Sequence, residues 1–108
     1  MINLEFLQDE HFDWANHNFG GSNADHALFG MTEELGELAH AHLKQLQGIR
    51  ENEGDFTEQA KDSVADIVIY MINYCNARGF NLEKLIQTTW DHVKKRDWKK
   101  FPGNGVSE

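Results

Sequence analysis

Cysteine and proline are nearly absent from this 108-residue chain, which contains one of each. Cys75 has no second cysteine with which to close an internal disulfide, so a reducing cytoplasmic location is expected. The one proline, Pro102, lies near the end, and nothing in the body of the chain therefore forbids long helices. No apolar run approaches the roughly 20 residues that span a bilayer, so we expect no membrane partner.

Positive charge is also scarce. Ten lysines and arginines stand against 18 aspartates and glutamates, for a formal charge of −8. Because binding to a nucleic acid polymer depends on neutralising its phosphates, this balance argues against such a partner. Half of the basic residues nevertheless lie close together near the C-terminus, at Lys94, Lys95, Arg96, Lys99 and Lys100. An acidic site beside a local basic segment suits a metal-bound, phosphorylated small molecule.

Glycine divides the chain into four stretches, each with the apolar periodicity of a helix. We predict helices over residues 3–18, 23–47, 56–78 and 81–98, with Asn81 capping the last. Alternating strand patterns are absent. The sequence therefore predicts an all-α helical bundle, a single domain over residues 1–102 followed by a flexible tail over 103–108. Because a chain this short buries only a modest core, we expect self-association as a homodimer or homotetramer.

The second and third helices each contain apolar residues that fall within one broad sector at 100° per residue. These sectors are predicted to face the core. In the second helix they comprise Leu28, Met31, Leu35, Leu38, Ala39 and Leu46, and in the third helix Val64, Ile67, Val68, Met71, Ile72 and Cys75.

Three glutamates lie beside the apolar sector of the second helix, within Glu33-Glu34-Leu35-Gly36-Glu37. Since residues three and four apart share a helix face, Glu33, Glu34 and Glu37 could converge on one cation. Taken alone, such a motif is more often a solvated acidic face.

The residues of the third helix favour the interpretation of these glutamates as part of a cation site. Glu58, Asp62 and Asp66 follow one another at spacing four, where like charges repel, and Asn73 lies on the same side. Asp66 also opens an apolar run that must be largely buried, and a carboxylate there is costly without compensation. Carboxylate pairs on adjacent helices would suit Mg²⁺, which prefers oxygen ligands. Alternatively, Asp66 bonds a tyrosine or a lysine.

The motif Glu33-Glu34-Leu35-Gly36-Glu37, followed by an acidic pair ending in Asp66, resembles the EExxE…ExxD signature of the MazG-like all-α nucleoside triphosphate pyrophosphatases. The resemblance extends from about Trp14 to Pro102. It implies that Glu34, Glu37 and Asp66 are metal ligands. The signature departs at Ser63, where the family has glutamate, and Asp62 is the proposed substitute.

This resemblance implies a Mg²⁺-dependent enzyme, with Mn²⁺ as a possible replacement, that hydrolyses a nucleoside triphosphate to the monophosphate and pyrophosphate in house-cleaning or nucleotide-pool control. We expect Glu33 to orient the attacking water. Substrate-binding roles are expected for Trp14 near the base, for Asn73, and for the basic residues Lys95, Arg96 and Lys99. Phe19, Trp90 and Trp98 could also stack on a base, but aromatic residues at helical positions are more often in the core, where we expect these three.

Two other classes of protein remain open at this point. Glu37-Leu38-Ala39-His40 matches the Glu-x-x-His motif of di-iron four-helix proteins, although that architecture uses two such motifs and the chain contains one. A non-catalytic helical interaction module that retains the acidic face is the other alternative.

Overall fold

The computed structural model describes residues 1–108 and contains four α-helices and no strands. α1 spans Leu4–Phe19, α2 Ala24–Gln47, α3 Phe56–Arg78 and α4 Leu82–Val93, and a short 3₁₀ turn, Glu51–Glu53, lies between α2 and α3. The predicted all-α class is confirmed. None of the four helices combines the length and the apolar character that crossing a bilayer requires.

Each α-helix begins at a side chain that accepts a hydrogen bond from a backbone N–H of the first turn. The four capping residues are Asn3, Asn23, Asp55 and Asn81. Such caps satisfy N–H groups that have no partner within the helix. The first three helices end at left-handed glycines, Gly20, Gly48 and Gly79. Local chemistry thus sets seven of the eight helix ends.

The fourth helix is shorter than predicted, since it ends at Val93 rather than at residue 98. After Val93 the backbone bonds change to a spacing of three, since the N–H groups of Lys95 and Arg96 donate to the carbonyls of His92 and Val93 at 3.3 and 3.1 Å. Asp97 Oδ1 then accepts hydrogen bonds from the backbone N–H groups of Lys99 and Lys100 at 3.1 and 3.0 Å. Aspartate competes in this way with the helical hydrogen-bonding pattern and favours a turn. The N–H of Asp97 itself donates to the carbonyl of Gly105 at 2.8 Å, so the chain folds back after α4.

α2 and α3 form an antiparallel hairpin, which is the main packing unit of the molecule. Near one end, the N–H of Asn23 donates to Asn73 Oδ1 at 3.1 Å, and near the other, Gln45 Nε2 donates to Thr57 Oγ1 at 2.7 Å. α1 packs on α3, and α4 packs against α1. The pairing of the hairpin fixes which residues of α2 and α3 lie at the same level.

The buried core is small. Only 10 of the 108 residues are buried, which leaves most large apolar side chains in contact with solvent. The core cluster consists of Ile72, Cys75 and Leu82, with Leu7 of α1 packed against it. Cys75 is therefore a packing residue, as the sequence predicted.

The predicted core sectors are wrong in part. In α2 the buried residues are Ala27 and Ala41, whereas Leu35 is 58 % exposed and Leu46 is 74 % exposed. The small alanines allow α3 to approach closely, while the leucines lie further round the helix. Exposure likewise corrects the core prediction for eight other residues, namely Phe19, Leu28, Ala39, Val64, Val68, Met71, Trp90 and Trp98. The apolar run that Asp66 opens is also not largely buried, since Asp66, Val68 and Ile69 are exposed.

Candidate metal and nucleotide site

Four of the predicted metal ligands meet where α2 and α3 lie at the same level. Glu34 and Glu37 of α2 face Asp62 and Asp66 of α3 across a cleft of about 350 Å³, and Ser63 and Gln59 complete its lining. No hydrophobic side chain lines this cleft. The convergence predicted from helical spacing is thus realised by the pairing of the hairpin. We call this feature the acidic cleft.

The tightest acidic group comprises the three glutamates of α2. Carboxylate oxygens of Glu33, Glu34 and Glu37 all lie within 4.8 Å of one another. Glu33 is exposed and does not line the cleft, so it borders the group from outside. A donor set of closely spaced carboxylate oxygens has the chemistry that a hard divalent cation requires.

Glu34 experiences the strongest electrostatic conflict in this group. Partial burial raises the pKa of its carboxyl group, and the negative charges of Glu37 and Asp66 raise it further. A hydrogen bond with Glu37 and the charge of Glu33 act in the same direction. No positively charged side chain lines the cleft to relieve this repulsion.

Where the resembled signature has one glutamate, this chain has Ser63, preceded by Asp62. Ser63 is buried and lines the acidic cleft, while Asp62 is exposed and lines it from the adjacent position. The cleft therefore retains a carboxylate at this level, although it comes from a shorter side chain one residue earlier.

A second cavity, of about 390 Å³, adjoins the acidic cleft and shares Glu34 and Asp66 with it. Its volume falls in the range of small-molecule sites, about 300–1,000 Å³. We call it the aromatic pocket. Its other lining residues are His11, Trp14, Phe19, Gly21, Asn23, His26, Ile69, Tyr70 and Asn73.

Trp14 and Asn73, both predicted to bind substrate, lie in the wall of the aromatic pocket. The Trp14 ring meets the Phe19 ring edge-on, with centroids 5.5 Å apart, and half of its surface remains exposed. Asn73 Oδ1 accepts a hydrogen bond from the N–H of Asn23, which orients the amide and leaves its N–H₂ group available.

Gly30 determines where another wall of the pocket lies. A Cβ atom at this position would overlap the ring of Tyr70, so the absence of a side chain lets the tyrosine lie directly against α2. Tyr70 in turn lines the pocket. Gly30 is therefore a positioning residue that sequence reasoning missed, because a glycine inside a helix gives no sign of what packs against it.

His11 is a second residue that sequence reasoning missed. Its ring is buried in the pocket wall, 5.4 Å from the Trp14 centroid, and burial lowers the pKa of the imidazole. Its Nδ1 atom is buried without a hydrogen-bond partner. The one signal in the sequence is its spacing of three from Trp14, which places both rings on the same helix face.

The basic residues of the C-terminal segment do not line either cavity. Lys95 is exposed, and the Arg96 guanidinium lies over the Trp98 ring, 6.0 Å from its centroid. The backbone N–H of Lys99 donates to Asp97. Within one chain, therefore, the structure does not bring Lys95, Arg96 and Lys99 together with the acidic cleft.

His40 is not part of the glutamate group. Its Nε2 atom lies 2.8 Å from Glu53 Oε2, and this hydrogen bond holds the pKa of the Glu53 carboxyl below its ordinary value. The ring also meets Phe56 edge-on. His40 thus fastens the α2–α3 connection, and the Glu37-x-x-His40 spacing does not produce the joint ligand set of a di-iron protein.

No protein-family model, curated protein or solved structure matched this chain in three comparisons.

Proposed function

We propose that the chain is a MazG-like, all-α nucleotide pyrophosphohydrolase, which cleaves nucleoside triphosphates to the monophosphate and pyrophosphate in the cytoplasm. One observation supports this proposal above all others: the acidic cleft and the aromatic pocket share Glu34 and Asp66. A ligand spanning both would place a polyphosphate beside carboxylates and a planar base among aromatic rings.

In this proposal, Glu34, Glu37 and Asp66 hold Mg²⁺, and Asp62 takes the place of the signature's missing glutamate. Closely spaced carboxylate oxygens suit Mg²⁺ or Mn²⁺, and the raised pKa of Glu34 reflects repulsion that a cation would relieve. When bound, the ion supplies charge neutralisation for the phosphates and acidifies a water.

The remaining roles belong to side chains around the two cavities. Glu33 borders the ligand group and orients the attacking water. The water oxygen forms a bond to phosphorus, the bond from that phosphorus to the oxygen bridging the α and β phosphates breaks, and the proton of the water is released to solvent. Trp14 stacks on the base, and the Asn73 amide donates to the ligand.

We further propose that two or four chains associate. The chain exposes 8199 Å² of surface, whereas a compact monomer of this mass exposes about 6,100 Å². Its radius of gyration of 17.8 Å exceeds the value of about 13 Å expected for a compact chain. The excess area, about 2,000 Å², exceeds the roughly 800 Å² that each partner buries in a standard interface.

The apolar surface for this association lies opposite the acidic cleft. Glu34 and Ser63 both line the cleft. Successive residues of a helix are about 100° apart, so the residue that precedes each of these two lies on one side of it, and the residue that follows lies on the other side. Glu33 and Asp62 lie on the acidic side, so Leu35 and Val64 lie on the opposite flank, where both are exposed. Arg96 and its neighbours would reach substrate phosphates from an adjacent chain.

The proposed activity is tested by incubating the protein with the four deoxynucleoside triphosphates and Mg²⁺ and separating the products. We expect monophosphate and pyrophosphate in equal amounts, and none after addition of a chelator. Glu37→Gln should lower turnover by up to about 100-fold. Glu58→Gln is the matched control, since Glu58 lies on α3 one turn from Asp62 but does not line the cleft. Release of orthophosphate alone, or no turnover, would contradict the proposal.

A further inference from the structure

Two buried side-chain atoms in the chain have no hydrogen-bond partner, His11 Nδ1 and Ser22 Oγ. Both belong to the same region. His11 lines the aromatic pocket, and Ser22 lies between Gly21 and Asn23, which also line it. The two residues come from different parts of the chain, α1 and the α1–α2 connection, and are brought together only by the fold.

Folded proteins pair nearly all of their buried polar side-chain atoms, and an unpaired one indicates a partner that comes from outside the chain. His11 is only 8 % exposed, so its ring cannot turn freely into solvent to find that partner. One of the two unpaired atoms lies in the pocket wall and the other belongs to a residue between two lining residues, and no other buried side-chain atom of the chain is unpaired. This placement indicates a shared ligand there.

The walls of the pocket specify what kind of ligand fits. Trp14, Phe19 and Tyr70 present aromatic surface, which favours a planar ring. Burial lowers the pKa of His11, so at neutral pH its imidazole is uncharged and offers one hydrogen-bond donor and one acceptor. The Ser22 hydroxyl can both donate and accept. Together these groups complement the polar edge of a nitrogen heterocycle.

We infer that His11 and Ser22 bind the hydrogen-bonding edge of a nucleobase and thereby distinguish a nucleoside triphosphate from a bare polyphosphate. This inference rests on the proposed function, because it assigns the aromatic pocket to the base of the same substrate. Neither residue contributes to hydrolysis. They determine specificity, while the acidic cleft retains the polyphosphate end of the ligand.

The test compares two probes by calorimetry in the presence of Mg²⁺: α,β-imido deoxynucleoside triphosphates, which contain a base, and inorganic tripolyphosphate, which does not. His11→Phe retains a ring of similar size but removes both nitrogens, and Ser22→Ala removes the hydroxyl. Each should weaken binding of the imido nucleotides about tenfold, the usual effect of deleting one buried hydrogen bond. Tripolyphosphate binding should change less than twofold.

His17→Phe is the matched control, since His17 lies on the same helix, is exposed and does not line the pocket. It should bind both probes as the unmodified protein does. If His11→Phe and Ser22→Ala bind the imido nucleotides normally, or lose both probes equally, the inference is wrong.

A measurement on the unmodified protein tests the inference even if the variants do not fold. The ¹⁵N resonance of His11 Nδ1 should shift when an imido nucleotide binds and remain in place when tripolyphosphate binds. An unchanged resonance at saturation would overturn the inference. If the chain releases no pyrophosphate but the nucleotide-specific effects appear, the proposed function fails while the base subsite stands. If pyrophosphate is released but His11 and Ser22 do not affect base binding, only the present inference fails.

Discussion

Glu34 lies where the acidic cleft and the aromatic pocket meet, and its carboxyl group has a raised pKa. A raised pKa means that ionisation opposes folding. At a pH well below the ordinary pKa of about 4.5, Glu34 is protonated in both the folded and the unfolded chain, and the destabilisation is absent. The destabilisation reaches its full size once the pH exceeds the raised pKa. At neutral pH without a cation, the ionised Glu34 should therefore lower the stability of the fold.

Glu34→Gln should accordingly raise the melting temperature of the metal-free protein at pH 7, and this advantage should vanish near pH 4. Addition of Mg²⁺ should reverse the order, because the cation stabilises only the carboxylate form. Thermal unfolding followed by circular dichroism measures both effects. Glu10→Gln, an exposed change on α1, should alter neither. A lower melting temperature for metal-free Glu34→Gln at pH 7 would contradict this account.

Asp62 provides the sharpest test of the ligand set, because it lines the cleft from a position the resembled signature does not use. If it substitutes for the missing glutamate, Asp62→Ala should lower kcat/KM about as much as Glu37→Ala does, roughly 100-fold. Steady-state assays of pyrophosphate release measure this. Full activity in Asp62→Ala would refute the ligand role.

For individual residues, the sequence predicted the polar side chains of the site better than it predicted the residues that surround them. Spacing of three or four determines a helix face, so it was sufficient to place Glu34 and Glu37 together on α2 and Asp62 and Asp66 together on α3; the pairing of the two helices then brings the faces to one site. Spacing could not reveal Gly30 or His11, because their significance depends on Tyr70 and on the pocket, which exist only after the helices pack.

Among the helices, α4 has the weakest attachment, and Gln8 of α1 contributes much of it. Gln8 Nε2 donates to the carbonyl of Phe80 at 2.6 Å, and the N–H of Leu82 donates to Gln8 Oε1 at 3.0 Å. The Asn76 amide also donates to the backbone carbonyl of Gln8. One side chain therefore joins α1 to the connection between α3 and α4.

Gln8→Ala should destabilise the fold by about 1–3 kcal/mol, since it removes both side-chain hydrogen bonds. It should also speed hydrogen exchange at the N–H of Leu82, which loses its acceptor. Chemical denaturation and exchange measured by NMR test the two effects. Gln87→Ala is the control, because Gln87 is bonded only to Asp91 on the same helix. Equal exchange rates at Leu82 in the two variants would show that Gln8 does not hold α4.

Helix boundaries were largely predictable because they depend on neighbours in the sequence. Asn81 was predicted as a cap and accepts from the N–H of Lys84. The end of α4 was predicted wrongly, since the helix ends at Val93 and Asp97 binds the backbone of Lys99 and Lys100 in a turn rather than in a helix. The buried face of α2 was predicted only in part. Apolar residues occupy more than one face of this helix, and periodicity cannot tell which face a neighbour within the chain will cover.

For the whole molecule, the proposed association predicts a solution mass of at least twice the 12.4 kDa of the chain. Leu35→Lys should reduce this mass, because it places a charge in the exposed apolar flank. Light scattering after size exclusion measures the mass directly. Asn52→Lys adds the same charge in the exposed α2–α3 connection and should leave the mass unchanged. A monodisperse 12.4 kDa species for the unmodified protein would contradict association.

The capped helix ends also affect the order in which the chain would fold and associate. Because each start is encoded by an adjacent side chain, helical turns can form within microseconds, before distant segments meet. Encounter between chains is then the slow step. In stopped-flow refolding, we expect an early circular dichroism signal that is independent of protein concentration, followed by a phase that accelerates as concentration rises. A single phase independent of concentration would mean that each chain completes its fold alone.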